Sequence, residues 1–165
     1  MQLDLGIKYK MLLMETKVNK RSTELKDLIS EVYEVFASYD SIEDLDVCLT
    51  WYTTEQIQLL KSVSVSKIDT VLAKKLLWES KDHWSSTNVY KYFLPRILEV
   101  ISPPEFQEDL FPAHLIEVLE QLQFKSWFDE EKKVVLKLLK YLSPLIYEDI
   151  DDSAEFNEGL SSLLV

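Results

Sequence analysis

The chain has 165 residues, of which 47% are hydrophobic and 12% aromatic, and its formal net charge is −11 at pH 7. This length and composition predict one folded domain and exclude an intrinsically disordered chain. The excess of acidic residues repels phosphate backbones and therefore argues against nucleic acid as a partner.

Two residue types on which many functional sites depend are scarce. Gly6 and Gly159 are the only glycines, which excludes glycine-rich phosphate loops and dinucleotide-binding turns. Cys48 is the only cysteine, so an internal disulfide and a paired-cysteine metal site are also excluded. No apolar run approaches the roughly 20 residues of a membrane span. We therefore expect a cytoplasmic protein without a membrane partner.

Residues 1–21 have two competing predictions. Leu3, Leu5, Ile7 and Tyr9 recur at the period of a β-strand. Because no second strand is predicted elsewhere in the chain, a flexible or loosely docked arm is the alternative. This end of the chain is also basic. Up to residue 26 it contains six Lys or Arg and three acids, which leaves 12 basic and 26 acidic residues in the remainder.

The first amphipathic helix is predicted from Ser22 to Tyr39. Its apolar face repeats at helical spacing and consists of Leu25, Leu28, Ile29, Val32, Val35, Phe36 and Tyr39. The opposite face carries an acidic row formed by Asp27, Glu31 and Glu34. Like charges four residues apart do not stabilise a helix. The row is therefore either a solvated face or a docking surface for a basic partner.

Two shorter helices are predicted next. Thr53 and Gln56 have the spacing of a capping box, which begins the first of them. Ser66 with Asp69 caps the second, which runs to about Trp78.

A polar stretch from residue 79 to 88, which contains Trp84, is predicted as a loop before a strongly apolar segment. Pro95 lies in the middle of that segment. Proline lacks a backbone donor and disfavours helical geometry at the residue before it, here Leu94. A kink, or two helices that meet at Leu94, is therefore expected.

The last two predicted helices follow Pro103 and Pro104. Phe111 and Pro112 begin the first of them, and Asp129 is predicted to cap the second, over about residues 130–147. The second helix has a basic stripe made of Lys133, Lys137 and Lys140. This stripe can lie beside the acidic row of the first helix, although exposed ion pairs add little stability.

The predicted fold is all-α, a compact bundle of about five to seven helices, with HEAT-like stacked helix pairs as one arrangement. Residues 1–21 form the arm, residues 22–147 the helical domain, and residues 148–165 an acidic tail with an apolar end. The tail has six acids from Glu148 to Glu158 and is expected to be flexible there. Its last residues, Leu160–Val165, either dock as a final turn or contact another copy.

Two segments carry a resemblance. They are Tyr90-Lys-Tyr-Phe-Leu-Pro-Arg-Ile-Leu-Glu99 and Phe124-Lys-Ser-Trp-Phe-Asp-Glu-Glu131. Together they resemble a group of uncharacterised bacterial all-helical proteins, over roughly residues 50–142. The resemblance implies a helical fold and no particular chemistry, since the group has no established function.

The usual catalytic and metal-binding residues do not form a recognisable pattern. His83 lies in the polar loop, His114 lies near a helix start, and neither has the HxxxH or HExxH spacing of a metal site. Cys48 has no base beside it and is expected to be a buried small hydrophobe. The sequence therefore predicts no catalytic residue, no metal and no cofactor.

Arg96 is the most informative single residue because an arginine in an apolar segment needs a partner. One interpretation is an internal ion pair with Glu99 or with an acid in residues 105–109. The other is a recognition arginine for an anionic ligand, in a groove whose walls include Trp84 and Tyr92.

The leading functional prediction is a non-enzymatic protein-interaction domain that binds a protein partner through an acidic and aromatic surface. The candidate contact residues are Asp27, Glu31, Glu34, Trp84, Tyr92 and Arg96. One specific version is an immunity-type protein that neutralises a basic toxin, since opposite charge steers association. The alternatives are a ligand-binding or enzymatic site between helices near Arg96, and a structural subunit of a larger assembly that uses its apolar end.

Overall fold

The computed structural model describes residues 5–39, 51–78, 86–102, 111–146 and 153–163. Over these ranges the chain contains seven α-helices and no strand, so the predicted all-α bundle is confirmed. The helices are α1 (Leu5–Val35), α2 (Thr54–Ser62), α3 (Thr70–Trp78), α4 (Thr87–Ile101), α5 (Phe111–Gln121), α6 (Asp129–Ile146) and α7 (Ser153–Ser162). Short 3₁₀ turns at Val65–Lys67 and Phe124–Ser126 precede α3 and α6. The HEAT-like arrangement of helix pairs stays a prediction.

Helix α1 begins at Leu5, so the strand predicted near the start of the chain is wrong, and the boundary predicted at Ser22 lies inside a continuous helix. The alternation of apolar residues is short. It is followed by Met, Leu, Glu and Lys, which favour helix, and neither Gly nor Pro occurs from residue 7 to residue 35. After Val35 the chain tightens into a turn in which Tyr39 N–H donates to the carbonyl of Phe36.

The start signals of α2 and α3 are confirmed. Gln56 N–H donates to Thr53 Oγ1 at 3.2 Å, and Thr53 N–H donates to Gln56 Oε1 at 3.1 Å, which is a complete capping box. Asp69 Oδ1 accepts from Leu72 N–H at 2.9 Å and caps α3. Ser66, the other predicted cap, lies in the preceding 3₁₀ turn.

Helix α4 continues through Pro95 as one element, so the prediction of two helices that meet at Leu94 is wrong. Proline removes one helical hydrogen bond, but α4 is the central helix and its apolar residues are buried nearly all round, against α3 on one side and α1 on another. The free energy of that burial outweighs the missing bond. Ser86 Oγ accepts from Val89 N–H at 3.3 Å and caps the start.

Helix α6 begins at Asp129 itself, so Asp129 is not the cap that the sequence predicts. The carbonyl of Phe128 accepts the first helical bond, from Lys132 N–H at 3.0 Å. Glu131 Oε2 accepts from Phe128 N–H at 3.1 Å, which is the glutamate half of a capping box. The start of α6 therefore depends on a glutamate that is itself buried.

Helix α7 corrects the prediction of flexibility between Ser153 and Glu158, because these residues are helical; residues 148–152 lie outside the described ranges. Leu160 and Leu163 are buried, so the apolar end docks on α5 and α6. A Cβ at Gly159 would lie 3.2 Å from two side-chain carbons of Ile116. The glycine therefore allows α7 to approach α5 closely.

Candidate functional site

The acidic row of α1 lies beside the basic stripe of α6, as the sequence suggests. Lys137 Nζ forms an ion pair with Glu31 Oε2 across the two helices. The groove between the helices has a volume of about 480 Å³ and is lined by Glu24, Asp27, Leu28, Glu31, Lys137, Lys140 and Tyr141. The chain therefore partly neutralises its own acidic row. Asp27 and Glu34 are exposed, and neither forms an ion pair in the described ranges.

Arg96 is engaged by internal partners, and the predicted ion pair with Glu99 is confirmed. Its Nη1 lies 2.7 Å from Glu99 Oε2, and its Nε donates to the carbonyl of Ile68 at 2.7 Å. The hydroxyl of Tyr33 also donates to Glu99 Oε2, at 2.8 Å. This cluster joins α1, α4 and the start of α3. The acids in residues 105–109 lie outside the described ranges.

The remaining predicted contact residues do not share a surface with the acidic row. Tyr92 is half-buried on α4, and its ring packs edge-on against Phe93 with ring centres 4.9 Å apart. Burial raises the pKa of the Tyr92 phenol. Trp84 lies outside the described ranges. Arg96 points toward the turn before α3, whereas Glu31 of the acidic row faces α6.

A buried polar network joins α1, α4 and α6, and sequence reasoning missed it. Lys91 Nζ lies 2.6 Å from Glu131 Oε2, and both side chains are almost wholly buried. Lys91 Nζ also donates to the hydroxyl of Tyr39 at 3.1 Å, and that hydroxyl donates to Glu131 Oε1. The ammonium lies 4.5 Å from the centre of the Trp127 ring, which adds a cation–π contact. A lysine between Tyr90 and Tyr92 in an apolar segment is the signal that would have indicated it.

Tyr33 and Tyr39 make the stability of the fold depend on pH in the alkaline range. The pKa of each phenol is raised above its ordinary value near 10, first by burial and then by a hydrogen bond to a carboxylate, Glu99 for Tyr33 and Glu131 for Tyr39. Above pH 10 the phenols of the unfolded chain therefore release protons that those of the folded chain retain. The contribution of these two phenols to the free energy of unfolding is fully present below pH 10 and decreases as the pH rises beyond it.

We expect the free energy of unfolding, measured by urea titration, to be flat from pH 8 to 9.5 and to fall between pH 10 and 11. The Tyr33→Phe and Tyr39→Phe variants should each show a shallower fall than the wild-type chain. An equally steep fall in both variants would show that these phenols are not its source.

Two tryptophans are exposed on the α2–α3 side of the molecule. Trp51 is 50% exposed and Trp78 is 44% exposed, and Val71, two turns before Trp78 on α3, is 78% exposed. Lys75 connects them, because its Nζ donates to the carbonyl of Trp51 and to Gln56 Oε1. Residues 71, 75 and 78 share one face of a helix. We call Trp51, Val71 and Trp78 the tryptophan surface.

His114 contributes to the same region from α5. Its ring stacks on Trp78 with centres 4.5 Å apart, and its Nε2 lies 3.2 Å from the carbonyl of Leu77. Both contacts lie within the fold, so His114 helps to fix Trp78 and the end of α3. His83 and Cys48 lie outside the described ranges.

In the part of the chain that the structure describes, no group of three or more His, Cys, Asp or Glu is placed to hold a metal ion. Over the same residues, no helix combines the length and the apolar character needed to cross a bilayer. No protein-family model, no curated protein and no solved structure matches the chain. The resemblance to bacterial helical proteins therefore stays a prediction.

Proposed function

We propose that the chain is a non-enzymatic protein-interaction module, and that the tryptophan surface is its main contact with the partner. The observation that carries this proposal is the exposure of Trp51 and Trp78, which Lys75 links because it lies one turn before Trp78 and donates to the carbonyl of Trp51. Tryptophan is enriched among the residues that dominate binding energy at protein interfaces. Two half-exposed tryptophans beside an exposed valine form an apolar patch of the kind that marks an interaction site.

The surroundings of the patch support a preorganised contact. Trp78 is held by its stack on His114, and the backbone of Trp51 is held by Lys75. Side chains already fixed in the free protein lose less conformational entropy when a partner binds. Trp78, whose ring is already stacked, therefore loses less conformational entropy on docking than a freely rotating side chain would.

The charge around the patch indicates the kind of partner. Between residues 53 and 78 the chain has four lysines and two acids, whereas the whole chain is strongly acidic. The lysines are Lys61, Lys67, Lys74 and Lys75. A partner with an apolar anchor and flanking acidic groups complements this surface, because opposite potentials speed association and fix orientation.

The immunity-type role is the second candidate, and it would use a different surface. The observation in its favour is that Asp27 and Glu34 are exposed on α1. A basic toxin would be attracted to this row, although Glu31 already forms an ion pair with Lys137. The ion pair and backbone hydrogen bond of Arg96, and the packing of the Tyr92 ring on Phe93, argue against the third candidate, a ligand or catalytic site near Arg96.

Photo-crosslinking in the producing cells separates these candidates. A photoreactive residue is placed at Val71, at Glu34 or, as a control on another exposed surface, at Glu130. We expect one defined partner from position 71, absent from position 130. The cross-link should disappear when Trp51→Ala and Trp78→Ala are added, with the helical circular dichroism unchanged.

Each alternative outcome has a definite meaning. A partner from position 34 that is basic and independent of the tryptophans would favour the immunity-type role over the proposed surface. Equal labelling from positions 71 and 130, or labelling at 71 that survives loss of both tryptophans, would overturn the proposal.

A further inference from the structure

Helix α7 lies on α5 and α6 and is anchored there by a small contact. Leu160 and Leu163 are buried in it, and the backbone at Gly159 lies close against Ile116. The helix has 10 residues, fewer than the roughly 12–15 that an isolated helix needs in water, and a glycine inside a helix weakens it further. Short elements held by few buried side chains open at a lower free energy than the core does.

The direction of α7 along α5 follows from two contacts. Gly159 meets Ile116, and Ser162 Oγ donates to Glu120 Oε1. Because the residue number rises in the same order along both helices, α7 and α5 lie side by side and run in the same direction. Glu158 lies one turn before Ser162 on the same side of α7. It is therefore on the side of α7 that faces the row of Glu120 on α5.

The contact joins two acidic helices. Helix α7 has two acids and no Lys, Arg or His, and α5 has two acids and no Lys or Arg. Glu120 and Glu158 are exposed, and neither forms an ion pair among the described residues. The basic stripe of α6 does not offset them, because Lys137 and Lys140 line the groove on the α1 side. Like charges across a contact weaken it, so α7 fits this site in shape but not in charge.

We propose that the groove between α5 and α6 is a docking site for a basic amphipathic helix of a protein partner, and that α7 is a displaceable cover over it. The seat of α7 defines the shape of the partner helix, a small residue opposite Ile116 with leucines one and four positions later. The acids of α5 define its charge, a Lys or Arg at the position that Glu158 occupies in α7. This inference goes beyond the tryptophan surface and does not depend on it.

A basic partner helix fits the groove better than α7 of a second copy. An exchanged α7 would bring the same acids to α5, so exchange between copies gains nothing in charge. A basic helix keeps the apolar contact and replaces a like charge beside Glu120 with an opposite one. Charge complementarity is therefore the reason for naming this occupant.

Hydrogen exchange of the full chain tests whether α7 opens on its own. We expect the amides of α7 to be protected at least about 100-fold less than those of α4, the buried central helix. Equal protection of the two helices would overturn the proposal, since α7 would then open only when the whole fold unfolds.

A labelled peptide of residues 153–165 that carries Glu155→Lys and Glu158→Lys is the probe for the groove, and fluorescence anisotropy measures its binding to the full chain. We expect it to bind about tenfold more tightly than the peptide with the unchanged sequence. Adding Gly159→Val to the probe should weaken it by at least about tenfold, because the branched side chain meets Ile116. Bound probe should also speed exchange of the α7 amides of the chain. No binding up to about 1 mM, or binding that leaves α7 exchange unchanged, overturns the proposal.

Gly159→Val in the full chain should raise its affinity for the probe by about tenfold, since a detached α7 no longer competes for the groove. Ser161→Val is the matched control. It places the same side chain at an exposed position of α7 and should keep the affinity within about twofold of the wild-type value.

The contrary results of this variant are equally definite. An affinity that does not rise, loss of the helical circular dichroism, or a dimer formed by exchange of α7 would each overturn the proposal, because α7 would then be part of the core or the groove would belong to a second copy. The Trp51→Ala/Trp78→Ala variant should bind the probe normally, so failure of one proposal is distinguishable from failure of the other.

Discussion

Replacement of Lys91 by methionine is expected to lower the free energy of unfolding by about 3–5 kcal/mol, because it leaves the Glu131 carboxylate buried without its ion-pair partner. Both side chains are almost fully shielded from water, and their charged atoms are 2.6 Å apart. Tyr39 and the Phe128 N–H remain as donors to Glu131, but neither carries the compensating charge. Urea denaturation followed by circular dichroism measures the loss.

A double-mutant cycle distinguishes a broken ion pair from simple loss of packing. Glu131→Gln keeps an acceptor for Phe128 N–H while it removes the charge, so Lys91→Met/Glu131→Gln should lose much less stability than the sum of the two single changes. Lys140→Met, an exposed lysine on α6, should change stability by less than about 0.5 kcal/mol. A loss below about 1 kcal/mol in Lys91→Met, or additive single changes, would contradict a coupled buried pair.

Truncation of Phe93 to alanine is expected to cost about 3–5 kcal/mol, the range measured for large aromatic side chains in closed cores. Phe93 is fully buried in α4, the helix that α1 and α3 both contact. Its removal leaves a cavity in the core, and the ring of Tyr92 loses its edge-on contact. Thermal and urea unfolding should both report the loss.

Phe128→Ala is the control for Phe93→Ala. The chemical change is identical, but Phe128 is 74% exposed, so the loss should be less than about 1 kcal/mol and reflect only its distant cation–π contact with Lys91. Comparable losses in the two variants would show that α4 is not the centre of the core.

Local patterns in the sequence predicted the elements whose stabilising contacts are local. The capping box of Thr53 and Gln56, the Asp69 cap and the Arg96–Glu99 pair each join residues three apart, so helix geometry alone brings their side chains together. The buried face of α1 follows from the 3.6-residue period in the same way. Predicting that Lys137 lies beside Glu31 required one further step, the matching of the acidic row of α1 with the basic stripe of α6.

Long-range packing decided the features that the sequence left open or indicated wrongly. Lys91 and Glu131 are 40 residues apart, and nothing in either local segment specifies the other. Pro95 breaks a helix by local rules, yet burial of α4 on several sides keeps the helix intact. The tryptophan surface exists because α3 turns Trp78 away from the core while Lys75 holds Trp51 nearby.

The sequence by itself therefore determined the fold class, most helix starts and the faces that are buried, because helix period and capping act between residues a few positions apart. Tertiary structure alone decided which charges are neutralised internally, which aromatic residues remain exposed and where along α1 the side chains become buried. These properties depend on which helix packs against which, and residues distant in the chain share that choice.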